Sequence, residues 1–338
     1  MEAGGNQSVT IMTKTGTAPT LKAEAILGTP PRAEPSFRFS GHQTFALRIA
    51  WIPKAAGEIA RGRDPLTDPD EGITKLGLGK NMVDALRCWI EAFQIAHRVD
   101  GVWTLTHIGN LIFHPDTGLD PFLEDVCTSW LLHWLISTNV ESPFFAWECV
   151  FNRWTALEFS ASQIIDAFER ETNRTAKPAS SITLRQHWEV FLHSYRPPRS
   201  DKGEDHLDSA MSPLRLIRES GERANAAGKW ENLYSFDPAR KSAIPEQLFS
   251  FFVHDWWNRN YPNEKTVPLR EMMLSDHSPG RLLKMQEPEL VQRAMNLASS
   301  QPKVFQIVDS MSMRQLHRPI ISDGVGDLKD AYRHPTFI

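Results

Sequence analysis

Residues 73–113, ITKLGLGKNMVDALRCWIEAFQIAHRVDGVWTLTHIGNLIF, restrict the fold of this chain more than any other stretch. Val83, Leu86, Ile90 and Phe93 recur at spacings of three and four, which sets one apolar stripe on a helix beginning near Gly79. Lys80, Asp84, Arg87, Glu91 and Gln94 fall on another face. Asp100-Gly101 between two short runs is a type I′ hairpin signal, because both central residues of that turn need positive φ. Thr106 is then a natural N-cap for a second helix carrying Ile108, Leu111 and Ile112.

Helix, hairpin, helix is the core order of a winged helix, a module used mostly to bind nucleic acid. The first of these helices would face DNA, so Lys75, Lys80, Asn81 and Arg87 are candidate contacts. Gly77 and Gly79 precede a helix N-terminus whose free N–H groups and positive dipole end favour an anion. The same glycines could equally serve a tight turn alone. Asp84 and Glu91, four residues after Lys80 and Arg87, offset those cations by about 0.2–0.5 kcal/mol per pair. A mixed face of this kind fits phosphate-backbone contact better than base readout. Trp103 follows the turn and either stacks on an unpaired base, worth about 1–3 kcal/mol, or packs beneath the hairpin.

At 338 residues the chain has room for two or three domains. It is 41% apolar and 23% charged with a net charge of −4, values that fit a globular protein and argue against a strongly basic nucleic-acid sponge. Three isolated cysteines form neither a disulfide framework nor a zinc motif. No 18-residue apolar run occurs and the N-terminus lacks an apolar core, so a cytoplasmic location with no membrane partner is expected. The expected class is mainly α with small β hairpins. Residues 1–34 read as a disordered tail, 35–196 as a winged-helix-containing domain with a helical extension, and 197–210 as a linker or exposed loop. A helical C-terminal domain follows over 211–320, then an irregular tail over 321–338. VFQIVDSMSMRQLHR closes the helical block as a strand pair, which points to a second winged-helix-like unit. No repeat of fixed period is found.

Two constellations could carry chemistry. In FSGHQTFALRIAW, His42, Gln43, Thr44 and Arg48 interrupt an apolar run. Arg48 could grip a phosphate and His42 could move a proton, with Gln43 and Thr44 as further DNA contacts. The competing reading has them satisfying backbone groups at a turn. In DPFLED, Asp120, Glu124 and Asp125 could hold Mg²⁺, with Asp120 and Glu124 activating water against a phosphodiester. The competing reading makes Asp120 an N-cap before Pro121 at the first helical position. His133, Trp134, His254 and Asp255 read as satisfied core-edge residues rather than ligands.

Taken together, FSGHQTFALRIAW, LGLGKNMVDALRCWIEAF, VWTLTHIGNLIF, DPFLEDVCTSWLLHWLIS and VFQIVDSMSMRQLHR resemble successive blocks of one family. That family is the SspB-like DNA nickase family of the bacterial single-stranded DNA phosphorothioation (Ssp) anti-phage system. The resemblance spans most of residues 37–320, and its specific parts are GKNMV and the DPFLED-to-LLH block. It implies a DNA-nicking protein working beside a cysteine desulfurase, an ATPase and a sulfur-transfer enzyme. A non-catalytic DNA-binding or scaffold component of the same system is the alternative. No PD-(D/E)xK, HNH, GIY-YIG or HKD nuclease signature is present, so the resemblance assigns no catalytic residue.

Overall fold

A computed structural model of the protein describes residues 1, 36–196, 209–309 and 313–337. The expected disordered tail and nearly all of the expected linker lie outside these residues. The chain is mainly α-helical with small antiparallel sheets.

The opening region holds α1 (Trp51–Ala60), α2 (Pro69–Leu76), α3 (Lys80–Ala92) and a hairpin of β1 (Ala96–Val99) and β2 (Val102–Leu105). α4 (His107–Phe113) and α5 (Val126–Ser137) follow. Next come α6 (Phe145–Trp147), which continues into a π-helical turn at Glu148–Arg153, then β3 (Glu158–Ser160), α7 (Ala161–Thr172) and α8 (Ser181–Tyr195). β4 (Ile217–Ala224) and β5 (Trp230–Phe236) form a second hairpin, and β3 joins its far edge to give the strand order β3-β5-β4. The last region holds α9 (Glu246–Asn260), β6 (Thr266–Pro268), α10 (Leu269–Leu274), α11 (Pro279–Leu282), α12 (Glu287–Ser300), β7 (Gln306–Asp309) and β8 (Arg314–His317). Its sheet order is β6-β8-β7.

Helices followed by a hairpin thus occur three times along the chain: α2 and α3, α7 and α8, and α10 and α12 with the short α11 between them. In the second and third instances a short strand precedes the helix pair and pairs antiparallel with the second hairpin strand. The sheet of the second unit draws strands from both sides of residues 197–208, so the first and second sequence blocks share it.

Local chemistry explains the first unit. Asp68 accepts the Asp70 N–H, Asp70 and Glu71 sit in the first turn of α2, and Gly77 closes it in the left-handed region at φ 66°. This helix takes in the end of DPLTDPDEG, residues 64–72, whose prolines and aspartates read in sequence as a turn-rich loop. The β1–β2 turn has φ 51° at Asp100 and 85° at Gly101, as a type I′ turn requires. Thr106 Oγ1 accepts the Gly109 N–H at 2.9 Å, and a Cβ on Gly109 would collide with the Ile95 carbonyl, so only glycine lets α4 approach β1.

Every residue of α5 is buried. A chain of polar groups runs past it: Trp147 Nε1–H donates to Tyr195 Oη at 2.7 Å. Tyr195 and His133 Nδ1 are 2.7 Å apart, and His133 Nε2–H reaches the Leu282 carbonyl at 3.0 Å. That relay ties α5, α6, α8 and α11 together, as expected for a satisfied core histidine. Trp134 Nε1–H likewise donates to Asp255 Oδ2 at 2.6 Å.

Two details differ from the sequence reading. α5 begins at Val126, with Asp125 rather than Asp120 as its N-cap. The segment 325–331 is a helix, α13 (Val325–Ala331), packed on α9, where an irregular tail is expected. Leu328 and Ala331 supply its buried face. No described helix is long and apolar enough to cross a membrane.

Candidate nucleic-acid interface

α3 buries most of its length. Val83, Ala85, Leu86, Cys88, Trp89, Ile90 and Ala92 face the core, and only Lys80, Asn81 and Glu91 are exposed. A helix so covered cannot lie along a groove and read bases; its first turn alone can meet a backbone phosphate. Lys80 makes no ion pair among the described residues, and Asn81 lies beside it. Arg87 is spoken for: its Nε–H donates to the Leu66 carbonyl at 2.8 Å and its Nη2 to Asp84 at 3.2 Å. Glu91 pairs with Arg38 at 3.6 Å rather than with Arg87. Lys75 pairs with Glu71 at 2.6 Å. Trp103 is buried beneath the hairpin with the Arg98 guanidinium 5.6 Å from its ring centre, so it takes the packing role of its two expected roles.

His42 sits in the core, 1% exposed. The Ala146 N–H donates to His187 Nε2 at 3.0 Å, so His187 carries its proton on Nδ1, which meets His42 Nε2 at 2.8 Å. His42 must then hold its proton on Nδ1 and donate it to the Gln43 carbonyl at 2.9 Å. Both rings are neutral, stacked at 5.1 Å, and have every nitrogen engaged. Burial pushes the His42 pKa down to about 4 and that of His187 well below the usual histidine range. His42 is therefore a packing group with no free nitrogen for proton transfer at neutral pH. Gln43, at φ 53°, and Thr44 are exposed on the turn that follows. Arg48 is half-buried with its guanidinium 5.8 Å from the Trp51 ring centre.

The acidic trio does not converge on a cation. The Asp120 carboxylate accepts the Glu124 N–H at 2.9 Å, the Asp125 N–H at 3.0 Å and the Thr128 hydroxyl at 2.5 Å. Asp125 accepts the Cys127 and Thr336 N–H groups, and Glu124 points from an exposed position. These acids knot the loop before α5, and among the described residues no cluster of three metal-ligating side chains occurs. The full trio therefore does not gather into a Mg²⁺ site among the described residues, although the buried Asp125 Oδ2 is left without a partner.

The second unit offers what α3 lacks. α8 exposes Ser181, Ile182, Arg185 and Glu189 along one side, Ile182 at 77%. The β4–β5 hairpin projects with Trp230 67% exposed, Lys229 exposed beside it and Arg223 half-buried across the ladder from Glu231. A solvent-exposed tryptophan on a hairpin beside cations is a ready platform for stacking on an unpaired base. None of these residues is singled out by the sequence reading; the signal was the turn sequence Asn225-Ala-Ala-Gly228 followed by an alternating strand.

Two or three helices followed by a hairpin, three times over, define a class of small recurrent units strung on one chain. Residues 39–324 match the family described as protein of unknown function DUF4007, and the chain belongs to that family. Its fold is that of SspB. An SspB crystal structure superposes with a TM-score of 0.76 over 89% of this chain and 91% of that one, at 22% identity. A magnesium ion-bound SspB crystal structure gives 0.73 over 87% and 88%, also at 22% identity. No curated protein matches the sequence.

Proposed function

We propose that this protein is the DNA-binding component of an Ssp-type phosphorothioation system. The observation that carries this reading is the strand–helices–hairpin order of the second and third units, with the first strand paired to the third, which we read as winged-helix topology. By that reading the helix pairs α2–α3, α7–α8 and α10–α12 are three winged-helix units, the first without its leading strand. The likeness to SspB over nearly the whole chain supports the assignment to that system. Lys80, Asn81, Gln43 and Thr44 would contact backbone phosphates, while Arg185, Lys229 and Trp230 would hold a strand at the second unit. Partners would be the ATPase, sulfur-transfer enzyme and cysteine desulfurase of the same system. A mixed, mildly acidic chain suits contacts spread over several units better than one basic surface.

Nicking of one strand, to permit sulfur incorporation, is the second reading. The magnesium-bound form of SspB favours it. The closed hydrogen bonding of His42 and Asp120 stands against those two residues as its machinery, so no catalytic step is assigned to them. Supercoiled plasmid incubated with purified protein, with Mg²⁺ or chelator, separates the two, run beside a salt-titrated gel shift. A salt-dependent shift with no open-circular product supports the binding role alone. Metal-dependent nicking establishes the second reading, and no shift on either duplex or single strands refutes both.

A further inference from the structure

A cleft of about 520 Å³ opens between the sheet of the second unit and the α10–α11 region of the third. Its apolar walls are Trp154, Leu157, Phe236, Met273 and Leu274. Leu157 and Leu274 are 80% and 50% exposed at its rim, an unusual position for large aliphatic side chains unless something covers them. Three cations line the same space: Arg218, Arg281 and Lys284.

Lys284 is the distinctive one. It adopts φ 50°, a left-handed conformation that costs a non-glycine residue on the order of 1 kcal/mol and persists where the surroundings enforce it. That conformation sets its ammonium 4.2 Å from the Phe236 ring centre and 6.0 Å from that of Phe151. Its one hydrogen bond among the described residues is a long one, 3.5 Å to the Trp154 carbonyl. An ammonium carries three donors, so capacity remains for an acceptor inside the cleft. Burial, with Arg281 nearby, pushes its pKa down to about 7. Arg281 is held by the exposed Asp276 at 2.6 Å, and Arg218 donates to Ser235 Oγ at 3.2 Å. The carboxylates facing the space are Glu158 and Asp237, the latter accepting the Ala239 N–H at 3.0 Å.

We propose that this cleft binds a nucleotide, its base against Trp154 and Phe236 and its phosphate at Lys284 and Arg281. A small inorganic anion would leave the apolar walls uncovered, and a neutral apolar ligand would leave the remaining donors of the half-buried Lys284 ammonium without an acceptor. The volume lies in the range of small-molecule sites. The inference rests on the DNA-binding reading only for the polymer that would supply the nucleotide.

The test uses pyridoxal 5′-phosphate on the whole protein near pH 7.5. The neutral lysine amine adds to the aldehyde and loses water to give an imine, which borohydride reduces to a stable secondary amine located by peptide mass mapping. Lys284 should label ahead of the exposed Lys80 and Lys229. Thymidine monophosphate or a short single-stranded oligonucleotide should suppress that label at least fivefold, and inorganic phosphate at the same concentration should not. R281Q should keep the label but weaken nucleotide protection several-fold. No label at Lys284, no protection by either nucleotide form, or equal protection by inorganic phosphate overturns the proposal. Protection by the mononucleotide alone identifies a free nucleotide as the ligand. A gel shift run in parallel separates the two readings: protection by the mononucleotide alone without a shift refutes DNA binding, and a shift without protection refutes the pocket.

Discussion

Acidification should unfold this protein well above the range where carboxylates protonate. His42, His133 and His254 are at most 1% exposed, and burial pushes each pKa down to about 4 from the ordinary 6.5. Their folded-state pKa lies below the unfolded value, so between pH 6.5 and 4 the unfolded chain binds protons that the folded chain refuses. Stability is then fully present above the unfolded pKa and is lost as pH falls through that window. At about pH 5.5 each ring costs between about 1 and 2 kcal/mol, and the three together about 4 kcal/mol, a large share of the roughly 5–15 kcal/mol typical of folded domains. His187, shifted further in the same direction, adds to this. Thermal unfolding followed by circular dichroism at about pH 7.5, 6.5 and 5.5 should show the midpoint fall by several degrees, with most of the drop in the last interval. In H42Q the fall should shrink by roughly a quarter, since one of four titrating rings is gone. A midpoint unchanged between the upper and lower pH would refute neutral, closed histidine relays, and with them the structural role given to His42.

The two cations of α3 should separate by assay. K80A should leave stability within about 0.5 kcal/mol and lower the salt slope of DNA binding by about one, whereas R87A should destabilise by about 1–3 kcal/mol by orphaning the Leu66 carbonyl. W230A should unfold at the same denaturant concentration as the parent yet bind single strands more weakly by about 1–3 kcal/mol, at least fivefold, in fluorescence anisotropy. D120A should lose about 1–3 kcal/mol by freeing two backbone N–H groups and the Thr128 hydroxyl, while chelator should leave the parent's unfolding midpoint unmoved.

The first unit was legible because its determinants are local. The apolar stripe of α3, the Asp100-Gly101 turn and the Thr106 cap all act within a few residues. α2 was equally legible in principle, with Asp68 as cap, acids in the first turn and Gly77 at its end, but two prolines made the stretch read as loop. The second unit was hidden by distance. β3 has three residues and no pattern of its own, and its partner β5 lies beyond α7, α8 and the polar stretch at 197–210 that reads as a linker. The recurrence escaped for a related reason: the units share topology, not length. The helix pair of the first turns on Gly77–Gly79, that of the second on residues 173–180, and the hairpin tips differ in the same way.

The candidate sites followed the same division. A polar residue in an apolar run marks either chemistry or a closed hydrogen-bond chain, and the residues beside it cannot decide between them. His42 was settled by His187, 145 positions away, which fills its Nε2 and fixes its proton. Asp120 was settled by three donors that its own loop folds back to supply. Lys284 is the converse. In sequence it is an ordinary lysine in GRLLKMQ, without a motif, because what sets it apart is a left-handed backbone and two aromatic rings contributed by Phe151 and Phe236. Of the residues that look chemical in this chain, His42 and Asp120 are ones whose hydrogen bonds close. The group left with donors to spare is one that only tertiary packing creates, so a search for function here belongs in the cleft between the second and third units before the polar motifs that stand out in the sequence.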